Sequence, residues 1–251
     1  MPLVIVICVA VCILLIRSIH IKEKLQVVRS VTSLTRGERS ERDLIYRLVK
    51  KCGIPANTIF HDLYVPNRNG YTQVDLVVPT NVGVFVFEVK DYSGWIFGNG
   101  NNEKWTQVLA YGQEKHQFYN PIKQNKGHIE ALKRSLPQFQ NIPFFSIVVF
   151  YGTSEIRALS NVPEDCRVVY PNQVAKLMKN SIANLSPAPY TDKWEAMRVL
   201  RSAVENGEDS NVVLQQQQRA QFVARGKYKS TYTYRSHLVG HVMRKCWRLY
   251  R

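Results

Sequence analysis

The chain has 251 residues, 34 of them Lys or Arg against 19 Asp or Glu, for a formal net charge of +15. That length allows a real buried core, and 45% hydrophobic residues without any repeat exclude a disordered or fibrous chain. Five cysteines (Cys8, Cys12, Cys52, Cys166, Cys246) form neither a CxxC nor a paired zinc spacing, which argues against a disulfide framework. The charge is uneven: residues 17–51 carry +6, residues 52–209 are neutral and residues 210–251 carry +9. Such an imbalance suggests contact with a polyanion, either nucleic acid or an anionic lipid surface.

Residues 2–16 read PLVIVICVAVCILLI, an unbroken apolar run followed by Arg17, Lys22, Lys24 and Arg29. As a helix the run spans about 22 Å at ~1.5 Å per residue, and Ile19 and Ile21 extend it if Arg17 snorkels to the interface. Positive charge after the run, and no small-residue cleavage site, favour a retained transmembrane anchor at residues 1–21 over a signal peptide or core helix. The Lys/Arg excess then places the amino terminus outside and the remaining chain in the cytoplasm. Residues 22–36 read as a basic juxtamembrane connector.

A helix over residues 37–52 follows, with Leu44, Ile45, Leu48 and Val49 at helical spacing and Gly53 and Pro55 as its stop. Strand patterns come next at 58–65, 72–79 and 83–89. A smaller hairpin over 95–97 and 104–108 turns at Asn99-Gly100. Asn120-Pro121 suits a helix start, with Asn as cap and Pro in the first helical position. Ile129, Leu132 and Leu136 stripe that helix, and residues 144–151 form a buried-type strand. A short strand at 167–170 and helices near 172–179 and 191–204 complete the order. This is an α/β arrangement with a mixed sheet. It divides into a globular domain at 37–180, a helical extension at 181–209 and a basic tail at 210–251.

The hairpin QVDLVVPTNVGVFVFEVK, residues 73–90, carries the chemistry. Pairing Pro79 with Val84 sets Asp75 opposite Glu88 and Gln73 opposite Lys90, all on one face. Two carboxylates so close repel, and a hard divalent cation relieves the conflict. Lys90 beside them suits orienting an attacking water or stabilising charge on a phosphate, so metal, water and lysine together describe phosphodiester hydrolysis. The plainer alternative is a solvated, ion-paired hairpin edge, and a one-residue slip would turn Asp75 to the other face.

Glu38 in RGE, Gln73-x-Asp75, Glu88-Val89-Lys90 followed by Asp91-Tyr92-Ser93-Gly94, and Asn120-Pro121 with Gln124 together resemble the nuclease-related domain. That family belongs to the restriction-endonuclease-like PD-(D/E)-x-K superfamily, and the resemblance covers about residues 35–152. It implies an αβββαβ core, Asp75 and Glu88 as ligands of Mg²⁺ or Mn²⁺, and Lys90 as the catalytic lysine. Glu38 would reach the site from the first helix and Gln124 from the helix after Asn120-Pro121, with Gln73 in support. Val74, not Pro, precedes Asp75. Gln124 and His128, four apart, share a helix face.

The tail adds a basic amphipathic helix near the end of the chain. Lys227, Lys229, Arg235, Arg244, Lys245 and Arg248 are its candidate contacts with nucleic acid or membrane, and packing on the domain is the plainer alternative. His237 and His241 form a weaker candidate metal pair. The expectation is a membrane-anchored, Mg²⁺- or Mn²⁺-dependent nuclease acting on DNA in preference to RNA. The alternative is a membrane-bound nucleic-acid-binding or scaffolding protein that keeps the fold without turnover.

Overall fold

A computed structural model describes residues 2–214 apart from 69, 137–139 and 191, together with residue 218. The tail contacts Lys227, Lys229, Arg235, Arg244, Lys245 and Arg248, and the His237–His241 pair, lie outside the described residues. The chain divides into two compact units, Met1–Asn206 and Gly207–Arg251, and the second is described chiefly as a helical segment at 210–214.

The first unit is a mixed α/β fold. Its helices are α1 (Pro2–Arg29), α2 (Arg39–Cys52), α3 (Pro121–Ser135), α4 (Pro171–Asn184) and α5 (Lys193–Asn206). Its strands are β1 (Phe60–Asn67), β2 (Gly70–Thr80), β3 (Gly83–Asn99), β4 (Lys104–Leu109), β5 (Glu114–Tyr119), β6 (Phe144–Ser160) and β7 (Cys166–Val169). From α2 to β6 the order is αβββαβ with the β4–β5 hairpin inserted. That hairpin differs from expectation: β4 pairs with β5 as well as with the end of β3, because polar residues 114–119 continue the sheet edge.

All seven strands form one sheet, with β1 to β5 antiparallel in sequence order. β6 runs parallel to β3 along its other edge, and β7 parallel to β6. Alternation along β3 sends Val84 and Val86 into a core with Leu132 of α3 and Leu200 of α5. Phe85 and Phe87 go to the opposite core, with Leu44 and Leu48 of α2 and Met178 of α4. The sheet is therefore covered on both faces, which explains why its central strands read as continuous apolar runs.

Because β6 holds one edge of β3, β2 and β4 share the other. β2 pairs with it as far as Phe87, and β4 takes over at Trp95. The stretch between is a gap in the ladder, and the candidate site sits there.

Helix ends follow the sequence signals. Gly53 closes α2 with φ 74°, its N–H reaching the carbonyls of Leu48 and Val49. Asn120 caps α3: its Oδ1 accepts from Ile122 N–H at 2.9 Å, while its Nδ2 donates to the carbonyls of Asn99, Gly100 and Asn102. One fully buried side chain thus locks the β3–β4 turn onto the helix. Asn120→Ala is expected to lower stability by about 2 kcal/mol, the upper end for loss of a cap. Urea unfolding checks this, and a midpoint equal to the wild type would contradict it.

α1 runs unbroken from the apolar segment to Arg29, so residues 22–29 are helix where a connector was expected. Its last turns pack on α2 through Glu23–Lys50 at 2.6 Å, Lys24–Asp43 and the buried Val28.

Candidate active site at the gap in the sheet

β2 and β3 pair in the expected register, Pro79 with Val84 and Leu76 with Phe87. The ladder stops one step before Asp75 would meet Glu88. Asp75 takes the place of a backbone partner instead, its Oδ2 accepting the Val89 N–H at 2.7 Å. The period of two also breaks here. Val74 and Val77, three apart, face the same core while Leu76 faces the other. In the neighbouring strand Asp62 stands in the left-handed region with φ 55°, a strained setting for a side chain other than glycine.

This corrects the expectation that Gln73, Asp75, Glu88 and Lys90 share one face. Gln73 turns away and donates from Nε2 to Asp62 Oδ1 at 2.7 Å. Arg36 donates to the same carboxylate through Nε at 3.0 Å and to the Asp62 carbonyl at 2.7 Å. Gln73 therefore supports the strained strand and not the Lys90 end of the site.

Glu88 and Lys90 extend toward α3. The Glu88 side chain is 1% exposed, and its Oε1 meets Lys90 Nζ at 2.5 Å. Lys90 also donates to Gln124 Oε1 at 3.1 Å, so the structure brings Gln124 to the lysine as the family resemblance implied. The other carboxylate oxygen of Glu88 lies 3.1 Å from His128 Nε2, and His128 Nδ1 lies 2.9 Å from Thr72 Oγ1. A carboxylate only accepts, so Nε2 carries the proton given to Glu88.

The same arrangement occurs a second time. Glu41 Oε2 lies 2.9 Å from His61 Nε2, and His61 Nδ1 lies 2.9 Å from Thr32 Oγ1, just beyond α1. Both Glu41 and His61 are buried. Gly37 packs so closely here that a Cβ would come within 2.3 Å of Glu41 Oε2, which explains a glycine at φ 63°.

Glu38, expected to reach the site, is instead exposed in the N-cap position of α2 and makes no side-chain cap bond. The carboxylate of the first helix that acts on Asp75 is Glu41. The sequence did hold the signal: Glu41 lies three and four residues before Leu44 and Ile45, and seven before Leu48, on the buried stripe.

The electrostatics follow from this packing. Burial, the charge of Glu88 and the charge of Glu41 push the Asp75 carboxyl well above the usual carboxylate range. Burial works the same way on Glu88, but His128 and Lys90 outweigh it and hold Glu88 below that range. Burial alone would lower Lys90, yet Glu88 and Asp75 raise it above its ordinary value. The resting site is thus a buried Glu88–Lys90 ion pair beside an acid that resists ionising. The oxygens available to a cation are those of Asp75 and Glu88. Among the described residues no group of three or more His, Cys, Asp or Glu is arranged to hold a metal ion.

Residues 36–151 match the sequence model of the Nuclease-related domain family. An uncharacterized protein of Bacillus anthracis is 29% identical over 155 residues, covering 61% of this chain and 71% of that protein. No solved structure matches the chain significantly.

Proposed function

We propose, for a chain whose residues 36–151 are a nuclease-related domain, that this domain hydrolyses phosphodiester bonds of nucleic acid, DNA in preference to RNA. The observation that carries this reading is that Asp75, where the β2–β3 ladder stops, accepts the N–H of Val89, the residue between Glu88 and Lys90. The charge of Glu88 opposes the ionisation of Asp75, and a hard divalent cation, Mg²⁺ or Mn²⁺, would remove that opposition. The donor set fits such an ion: two carboxylates suit a cation that completes its shell with water and phosphate oxygens, and would not make a closed protein cage. When bound, the ion supplies a more acidic water and neutralises charge on the phosphate.

The remaining roles fall to the chain. Lys90, kept cationic by Glu88, stabilises negative charge that develops on the phosphate, and Gln124 fixes the direction of its ammonium. Hydrogen bonds from His128 and His61 hold Glu88 and Glu41 in fixed orientations. Glu41 takes the part that Glu38 was expected to play. The exposed apolar stretch of α1 anchors the domain in a membrane, with the amino terminus outside and the domain in the cytoplasm.

The test is cleavage of DNA and RNA by the purified full chain with Mg²⁺, Mn²⁺ or EDTA, beside Glu41→Gln and Glu38→Gln. Metal-dependent cleavage that falls about tenfold or more in Glu41→Gln and persists in Glu38→Gln is expected. Salt-sensitive binding of DNA without turnover in any metal would favour the non-catalytic alternative.

A further inference from the structure

The candidate membrane helix does not stand apart from the domain. His20 lies edge-on to Tyr46 at 5.6 Å, Glu23 meets Lys50, Lys24 meets Asp43, and Thr32 meets His61 near the start of α2. His20 lies against Tyr46 while Lys24, one turn later, reaches back to Asp43, so the two helices run antiparallel. α2 ends at Cys52, two residues past Lys50 and six past Tyr46. At ~1.5 Å per residue, α1 therefore leaves the domain within about one turn of Arg17, where the apolar run stops. No length of linker separates the apolar helix from this end of the domain.

Several features meet at that end. Helix α2 delivers Lys50 and Lys51, and Lys179 of α4 lies close enough for its charge to act on Cys52. Glu23 neutralises Lys50, whereas Lys51 and Lys179 are exposed. The β2–β3 turn at Asn81 lies at the same end and accepts a hydrogen bond from Ala188 N–H at 2.8 Å. Trp194, 85% exposed, shares a cleft with Asn57, Pro79 and Asn81, and Leu185 is exposed at the end of α4. Of the acids here, Asp192 caps the backbone N–H groups of Trp194 and Glu195, and Glu195 pairs with Arg198, while Glu164 and Asp165 are exposed in the cleft that Leu185 lines. An exposed Trp and exposed Lys side chains at one end of a domain match the composition of a membrane–water interface.

We propose that this end of the domain, with Lys51, Lys179 and Trp194, rests on an anionic phospholipid surface. The inference depends on α1 being a membrane anchor. It fixes the position of the site: Glu88 lies seven positions from Asn81 through the turn and β3, so the carboxylate centre is held roughly 20 Å from the lipid surface.

The test uses the full chain reconstituted in phosphatidylcholine vesicles with and without phosphatidylserine, containing lipids brominated near the headgroup. Quenching of tryptophan fluorescence is compared between wild type and Trp194→Phe, which retains Trp95, Trp105 and Trp247. The substitution is expected to remove roughly half of the quenching seen with phosphatidylserine, as for an interfacial ring. Lys51→Glu with Lys179→Glu is expected to lower wild-type quenching to its value in phosphatidylcholine alone. Equal quenching in wild type and Trp194→Phe, with the chain resisting carbonate extraction, would overturn the docking and leave the anchor standing. Release of the chain by carbonate would overturn both.

Discussion

Lys90→Met is expected to lower metal-dependent cleavage by about 10²–10³-fold, the range for losing one group that stabilises charge in the transition state. Methionine keeps the aliphatic stem and removes only the ammonium that sits between Glu88 and Gln124. The same change leaves Glu88 with His128 alone, and breaking a buried ion pair costs about 3–5 kcal/mol. Activity is therefore measured well below the midpoint of thermal unfolding, with near-UV circular dichroism confirming the native state. Glu88→Gln together with Lys90→Met should recover most of the lost stability and none of the activity, because the buried charge and its partner leave together. A single Lys90→Met variant that cleaves at the wild-type rate would remove lysine from the mechanism.

Asp75→Asn is expected to raise stability while abolishing cleavage. The Asp75 carboxyl is half-buried and repelled by Glu88 and Glu41, so ionising it at neutral pH opposes folding. Asparagine presents an oxygen to the Val89 N–H in the same place and carries no charge. In EDTA the melting temperature should rise, and about 1 kcal/mol corresponds to roughly 2–4 °C for a domain of this size. A site that sacrifices stability for function behaves in this way. A fall in melting temperature would show that the acid is a structural partner and not a strained one.

The register of the central hairpin was legible because its apolar residues alternate and Thr80 to Gly83 make a turn. The fork in the ladder was not legible. Alternation predicts where side chains point only while pairing continues, and nothing in the residues at 73–75 announces that the period breaks at Asp75. Gln73 was misplaced for that reason. The burial of Glu41 was legible, since the helix stripe that buries Leu44 and Leu48 also buries Glu41. The two Thr–His–Glu chains could not have been found by spacing at all. Their members lie 29 and 20 positions apart in one case and 56 and 40 in the other, and only the packing of α2 and α3 on the sheet brings them together. Asn120-Pro121 shows the opposite case: a local signal with a local cause, correctly read as a cap, whose grip on the β3–β4 turn emerged only in three dimensions.

The parallel pairing of β3 with β6 has a consequence for the order in which the molecule assembles. Val84 meets Phe144 and Asn99 meets Ser160, so the partners are some sixty positions apart along the whole ladder. Contacts of such long range close slowly, and they cannot close at all until the second partner has been synthesised. α1 precedes every strand of the sheet in the chain and is complete as a helix from its own residues. Glu88 and Lys90 emerge long before β6 and α3, and until those arrive they are ordinary polar side chains of an unpaired strand. The apolar helix is thus ready to reach its destination while the carboxylates still lack the surroundings that set their charge.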